Sequence, residues 1–187
     1  MSLEQQKIII GITGFKESGK DTIGSMIHNL FPGCVGYRVG FGDALKQEIA
    51  ELTGGSIKVI NENKSKPELR YILQYYGTEI RRKFNGEDYW LNIVQEKIER
   101  FKAPCLIYIP DVRFENEVEM IKKYSGIIIK VDRIRQRNHI SDFHSSETSM
   151  TKIVPDFFIL NEDKGLRQLE WEVKCCVDRI KEKLKLL

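Results

Sequence analysis

Apolar residues alternate along the chain between short dense runs and longer stretches spaced three and four apart. The dense runs are 7–13, 35–39, 105–109, 127–131 and 157–160. Three are almost unbroken Ile, Val or Leu, as in Ile8-Ile9-Ile10 and Ile127-Ile128-Ile129, which predicts strands buried on both faces. Helix-period stretches cover 20–30, 43–52, 68–84, 90–101, 115–124 and 166–184. The last carries Leu166, Leu169, Trp171, Val173, Val177, Ile180 and Leu184 opposite a Lys-rich face, so Trp171 is expected in the core. Strand–helix alternation of this kind predicts an α/β fold, a parallel sheet of about five strands with helices on both faces.

Two stretches break the pattern. Residues 54–67 are polar, with Asn61, Asn63, Lys64, Ser65, Lys66 and Pro67, and read as an exposed loop. Residues 133–151 hold Arg133, Arg135, Arg137, His139 and His144 among Ser and Asp without an apolar period. A connection that long inside a compact domain points to function. There is no internal repeat or low-complexity tract, so residues 1–187 are expected to form one domain.

Composition narrows the class. The 187 residues are 41% apolar, enough to bury a core without disulfides or a structural metal. Thirty Lys and Arg against 27 Asp and Glu give a net charge of +3, too small a surplus for a dedicated nucleic-acid or membrane binder. The apolar runs fall far below the roughly 20 residues that span a bilayer. Glu4 and the short stretch after it do not make a secretory signal. Cys34, Cys105, Cys175 and Cys176 show no C-x-x-C and no ligand-like spacing with the three histidines. Adjacent Cys175 and Cys176 on a helix would make a strained disulfide, so reduced thiols in a cytoplasmic protein are expected.

The chemistry begins after the first strand. Gly14-Phe15-Lys16-Glu17-Ser18-Gly19-Lys20-Asp21-Thr22 fits G-x-x-x-x-G-K. Its glycines let backbone N–H groups curl into an anion nest, the following helix adds its positive end, and Lys20 supplies a full charge for phosphates. Asp21 stands where the general motif has Ser or Thr, and Thr22 is displaced by one. A second element, Cys105–Ile109, ends in Pro110-Asp111-Val112-Arg113, which places an acid at a strand's carboxyl end where a Mg²⁺-organising carboxylate belongs. The arginines of 133–151 supply charge of the kind phosphoryl transfer uses when a loop closes and excludes water.

These residues resemble the bacteriophage-type deoxynucleoside monophosphate kinases, a branch of the adenylate-kinase-like P-loop kinases. The resemblance runs from Ile8 to about Leu184. Gly19-Lys20-Asp21-Thr22 is similar to that branch's own P-loop, and Asp43-Ala44-Leu45-Lys46 to its first monophosphate-side motif. Arg70-Tyr71-Ile72-Leu73-Gln74 with Gly77-Thr78-Glu79 resembles its most diagnostic block, and Asp88-Tyr89-Trp90 the step that follows. Asp111-Val112-Arg113-Phe114-Glu115-Asn116-Glu117 and His144-Ser145-Ser146-Glu147 resemble two later blocks. Residues 54–67 are shorter than in the family, and Asn161-Glu162-Asp163-Lys164-Gly165 is longer.

The resemblance implies transfer of the γ-phosphoryl group of ATP to a (deoxy)nucleoside 5′-monophosphate, with Mg²⁺. It implies a three-layer P-loop kinase fold with core 7–53 and 103–187, a monophosphate-binding insertion at about 54–102 and a short Arg-rich lid at about 133–151. Donor phosphates fall to Gly14, Lys16, Ser18, Gly19, Lys20, Asp21 and Thr22, with Asn161 on the adenine side. Arg113 and Arg70 suit the acceptor phosphate, where bidentate guanidinium geometry matches a dianion, and Lys46 lies near the acceptor nucleotide. Arg133 and Arg137, ahead of Arg135, are assigned to transition-state charge. Thr22 and Asp111 are the Mg²⁺ candidates, Asp111 through water, while Asp21 serves either the acceptor phosphate or the metal. Gln74, Gly77, Thr78 and Trp90 are candidates for the acceptor base, with Trp90 equally at home in a core cluster with Tyr75, Tyr76 and Tyr89. His144 is read as a loop hydrogen-bonder, since a phosphate-oxygen nucleophile needs no general base. The expected partners are the two nucleotides alone, without nucleic acid or membrane, in a monomer or homodimer. Animal-type phosphomevalonate kinases share a similar Gly-Lys-Asp cradle and strand-end Asp-x-Arg, and a nucleotide-gated binding protein would share the cradle alone.

Overall fold

The computed structural model describes residues 6–134 and 149–186. Five strands form one sheet: β1 (Lys7–Thr13), β2 (Val35–Arg38), β3 (Cys105–Ile109), β4 (Ile127–Arg133) and β5 (Phe157–Asn161). They are all parallel, in the order β2-β3-β1-β4-β5. Helix α1 (Lys20–Asn29) follows β1, and α2 (Phe41–Thr53), α3 (Ile57–Asn63) and α4 (Pro67–Gln74) follow β2. A π-helical segment, Tyr75–Arg82, continues α4 into the short α5 (Lys83–Asn85). Then come α6 (Tyr89–Arg100), α7 (Glu115–Lys123) after β3, and α8 (Leu166–Lys183) after β5. Among the described residues no helix is long and apolar enough to cross a membrane.

Alternation along β1 splits the core. Ile8, Ile10 and Ile12 pack with Ile23 and Ile27 of α1 and with Val173, Val177 and Ile180 of α8. Ile9 faces the other way, into Phe41, Trp90, Val94, Ile98 and Ile121 of α2, α6 and α7. A sheet covered on both faces needs the nearly continuous Ile and Val that the dense runs carry. All four cysteines are free.

Three readings of the sequence are corrected. Residues 54–67 are not a loop throughout, because α3 occupies Ile57–Asn63, opened by the Ser56 hydroxyl accepting from Lys58 N–H at 3.2 Å. The helix is short and buries only Ile60, so no apolar period was there to be read. Trp171 is 58% exposed, since the buried stripe of α8 runs through Leu169, Val173, Cys176, Val177 and Ile180. Tyr75 leaves the aromatic cluster and stacks on Tyr71 at the surface, with ring centroids 5.9 Å apart, while Tyr89 meets Trp90 edge-on at 4.8 Å.

Candidate active site

The carboxyl ends of β1, β2 and β3 open into a cavity of about 600 Å³, where open parallel sheets place ligands. The Gly14–Lys20 loop forms one wall. Gly14 and Gly19 have φ of 146° and 98°. A Cβ on Gly14 would stand 2.3 Å from the Val131 carbonyl oxygen, so only glycine lets this turn lie against β4. Lys20 Nζ folds over the loop and donates to the Gly14 and Phe15 carbonyls at 2.7 and 2.6 Å. Ser18 is buried beneath the loop.

Arg133 fastens the loop from β4. It donates to the Glu17 carbonyl at 2.7 Å and pairs with Asp163. Asn161, ending β5, donates to the Ser18 carbonyl at 3.2 Å. Asn161, Arg133, Gly19 and Thr22 border a second, smaller cavity of about 280 Å³ with Gly165 and Leu169.

A line of charge runs beside the cavity and reaches its lining at Asp21 and Lys46. Arg38 at the end of β2 pairs with Asp21 of α1 at 2.8 Å and with Asp43 of α2. Lys46 then bridges Asp43 and Asn61, each at 2.9 Å. Burial raises the Asp43 carboxyl, but Lys46 and Arg38 outweigh it and hold the group below its ordinary value. Asp111 accepts the N–H groups of Phe41 at 3.1 Å and Gly42 at 2.7 Å, which ties the strand end to the start of α2. Its burial prevails over these bonds and raises its pKa.

The far wall belongs to the π-helical segment and α6. The Trp90 indole N–H donates to the Gly77 carbonyl at 2.9 Å, and Trp90 is 3% exposed, so it belongs to the core and borders the cavity at once. Gln74 Nε2 is shielded from solvent without a hydrogen-bond partner in the structure. Beneath them Glu117 at the start of α7 pairs with Arg82, and burial pushes its carboxyl up to about 7 despite that cation.

Of the residues singled out in the sequence, Lys16, Gly19, Lys20, Asp21, Thr22, Lys46, Arg70, Gln74, Gly77, Thr78, Trp90, Asp111, Arg113 and Arg133 all border the large cavity. Gly14 and Ser18 shape the loop behind it, and Asn161 borders the smaller one. Arg137, with Arg135 and His144, lies outside the described residues. Sequence reasoning gave Arg38, Arg82 and Glu117 no role. The available signals were the place of Arg38 at a strand's carboxyl end and of Glu117 at the third position of a helix.

A parallel sheet with helices on both faces and a glycine-lysine anion loop after its central strand is the architecture of the P-loop nucleotide-binding fold. Shikimate kinase from Aquifex aeolicus shares this fold, with a TM-score of 0.51 at 16% identity over 95% of this chain and 98% of that one. The Mycobacterium tuberculosis APS kinase CysC, in its complex with AMPPNP and APS, aligns with a TM-score of 0.49 at 11% identity over 95% and 99%. A protein of Acanthamoeba polyphaga mimivirus named "Putative deoxynucleotide monophosphate kinase" is 28% identical, covering 91% of this chain and 96% of its own. The family described as deoxynucleotide monophosphate kinase matches residues 41–173. The chain belongs to that family, and it is a nucleotide kinase, a phosphotransferase.

Proposed function

We propose that the protein transfers the γ-phosphoryl group of ATP to a (deoxy)nucleoside 5′-monophosphate, giving the diphosphate and ADP. The observation that carries this reading is that the cavity of about 600 Å³ is bordered both by the phosphate loop and by Arg70, Gln74, Trp90 and Arg113. A donor on the loop and an acceptor against the far wall would meet inside it, as in-line transfer requires. An oxygen of the acceptor phosphate attacks the γ-phosphorus while the bond to the bridging oxygen of the departing ADP breaks. Lys20 and the loop N–H groups hold the donor phosphates, and Arg113 and Arg70 the acceptor phosphate.

The smaller cavity suits the donor's base, with Asn161 at its edge. The buried amide of Gln74 suits an acceptor base, because a shielded donor without a partner costs about 1–3 kcal/mol that a bound ligand recovers. Gly77, Thr78 and Trp90 line the same wall, and Lys46 borders it. Residues 54–102 thus read as the acceptor-side insertion of one domain. Arg133 is held at the loop by Asp163, within reach of transition-state charge, and Asp21 is held by Arg38.

Thr22 and Asp111 both border the large cavity, and the Thr22 hydroxyl and, through water, the Asp111 carboxylate would hold Mg²⁺ there. Bound there it would offset the negative charge of the donor phosphates. Asp111 meets the requirement of a fixed carboxylate, since the Phe41 and Gly42 N–H groups set its orientation.

The test is turnover with ATP, Mg²⁺ and each nucleoside monophosphate in turn, following ADP and the diphosphate product. Turnover with one or more monophosphates is the expected result. Binding of ATP with silence across all of them would transfer the reading to another phosphate-bearing acceptor. Arg113→Ala is expected to lower acceptor kcat/KM at least about a hundredfold, because the phosphate loses a paired guanidinium in a closed site.

A further inference from the structure

The chain leaves β3 through Asp111, Val112, Arg113 and Phe114 and enters α7, whose first N–H groups need acceptors. Glu117 supplies one from inside the molecule. One carboxylate oxygen accepts the Arg113 N–H at 2.6 Å and the Phe114 N–H at 3.1 Å. The other pairs with Arg82, the last residue of the π-helical segment, 35 positions earlier in the chain. Arg82 also donates to the Glu87 carbonyl at 3.0 Å and lies over the Phe114 ring, 4.0 Å from its centroid.

Glu117 is 1% and Arg82 9% exposed. Burying such a pair brings little net stability, since apolar side chains of the same volume serve a core at least as well. What the pair does provide is placement. It ties the acceptor-side helices to the strand-end segment, and Arg82, Arg113, Phe114 and Glu117 all border the cavity at that joint. A guanidinium has more N–H donors than the two contacts of Arg82 consume.

We propose that Glu117 is a positioning residue that sets Arg82 beside Arg113, so that the two guanidinium groups together grip the phosphate of the acceptor. This rests on the reading of Arg113 as an acceptor-phosphate residue. Arg82 touches the substrate, and Glu117 acts through Arg82 and through the backbone of Arg113. The joint carries a cost when only one charge is removed, because the other is left buried without its partner.

The experiment compares steady-state kinetics of wild type, Arg113→Ala, Glu117→Gln, Arg82→Met and the double variant Arg82→Met/Glu117→Gln, with circular dichroism to report folding. Glu117→Gln and Arg82→Met are each expected to raise the acceptor KM about tenfold or more while the ATP KM stays within about twofold. The double variant leaves no unpaired buried charge and keeps an oxygen for the Arg113 and Phe114 N–H groups. It is expected to fold like wild type and still show the tenfold loss for the acceptor. If it restores the acceptor KM to the wild-type value, the pair serves packing only and the proposal is overturned. Should the single variants fail to fold, the double variant decides alone. An effect of Arg113→Ala with none from the pair would sink this inference and leave the proposed function standing. Unchanged acceptor kinetics in Arg113→Ala would remove the phosphate assignment, and the inference with it.

Discussion

Lys20 and Trp171 show how differently single residues carry their surroundings in sequence. Lys20 sits at a spacing whose meaning is local, a loop of N–H groups closed by a helix start, and the structure brings its ammonium onto that loop. Lys20→Ala is expected to abolish turnover with the circular dichroism spectrum and melting temperature close to wild type, and near wild-type rates would defeat the mechanism. Trp171 belongs to an apolar period yet stands 58% exposed on α8. Trp171→Ala is therefore expected to change stability by less than about 0.5 kcal/mol in urea unfolding, where a buried Trp would cost about 3–5 kcal/mol. Period alone could not separate these cases, because the edge of an apolar stripe is drawn by what packs on it. Arg82 and Glu117 are the converse: two charges in amphipathic stretches that look solvated until each meets the other.

At the level of elements, the dense runs translated into strands with little loss. Their burial on both faces follows from parallel pairing and leaves a compositional mark. The helices between α2 and α6 were harder. α3 is seven residues long, and the segment after α4 widens into a π-helix over Tyr75–Arg82, which brings Gly77, Thr78 and Arg82 to the cavity wall. Such a widened turn recurs at functional sites, but its residues have no pattern that separates it from an ordinary helix.

One junction between elements is open to a pH test. Asp156, just before β5, accepts the Ile128 N–H at 2.7 Å and pairs with Lys122 of α7 and Lys183 of α8. Burial works against its charge, but that N–H and the two lysines prevail and hold its pKa at about 2. A carboxyl depressed in the folded state stabilises it above the unfolded pKa near 4 and loses that contribution as pH falls toward 2. Asp156→Asn is expected to cost about 1 kcal/mol at pH 7, once screening at the two exposed lysines is allowed for, and progressively less as pH falls through about 2. Denaturant unfolding across that range checks it, and a pH-independent difference would contradict the assignment.

For the whole molecule, the cavity is a product of sheet order. β1 lies between β3 and β4, so the phosphate loop meets the Asp111–Arg113 segment on one side and Arg133 on the other. A non-hydrolysable ATP analogue at about a hundred times its Kd should stabilise the fold by about 2.7 kcal/mol, a rise of roughly 5–10 °C in Tm. Adding the monophosphate should raise it further, and an absent first shift would contradict donor binding. The sequence by itself determined the strands, their parallel arrangement and the anion loop, because each is written in composition or spacing over a few neighbouring positions, whereas the acceptor-side residues were singled out only by the resemblance to a kinase family. Only the tertiary structure decided the pairings Arg82–Glu117, Arg38–Asp21 and Arg133–Asp163, the exposed place of Trp171 and the widened turn at Gly77. Whether a charge is buried and what compensates it depend on groups 17 to 35 positions away, which local periodicity does not register.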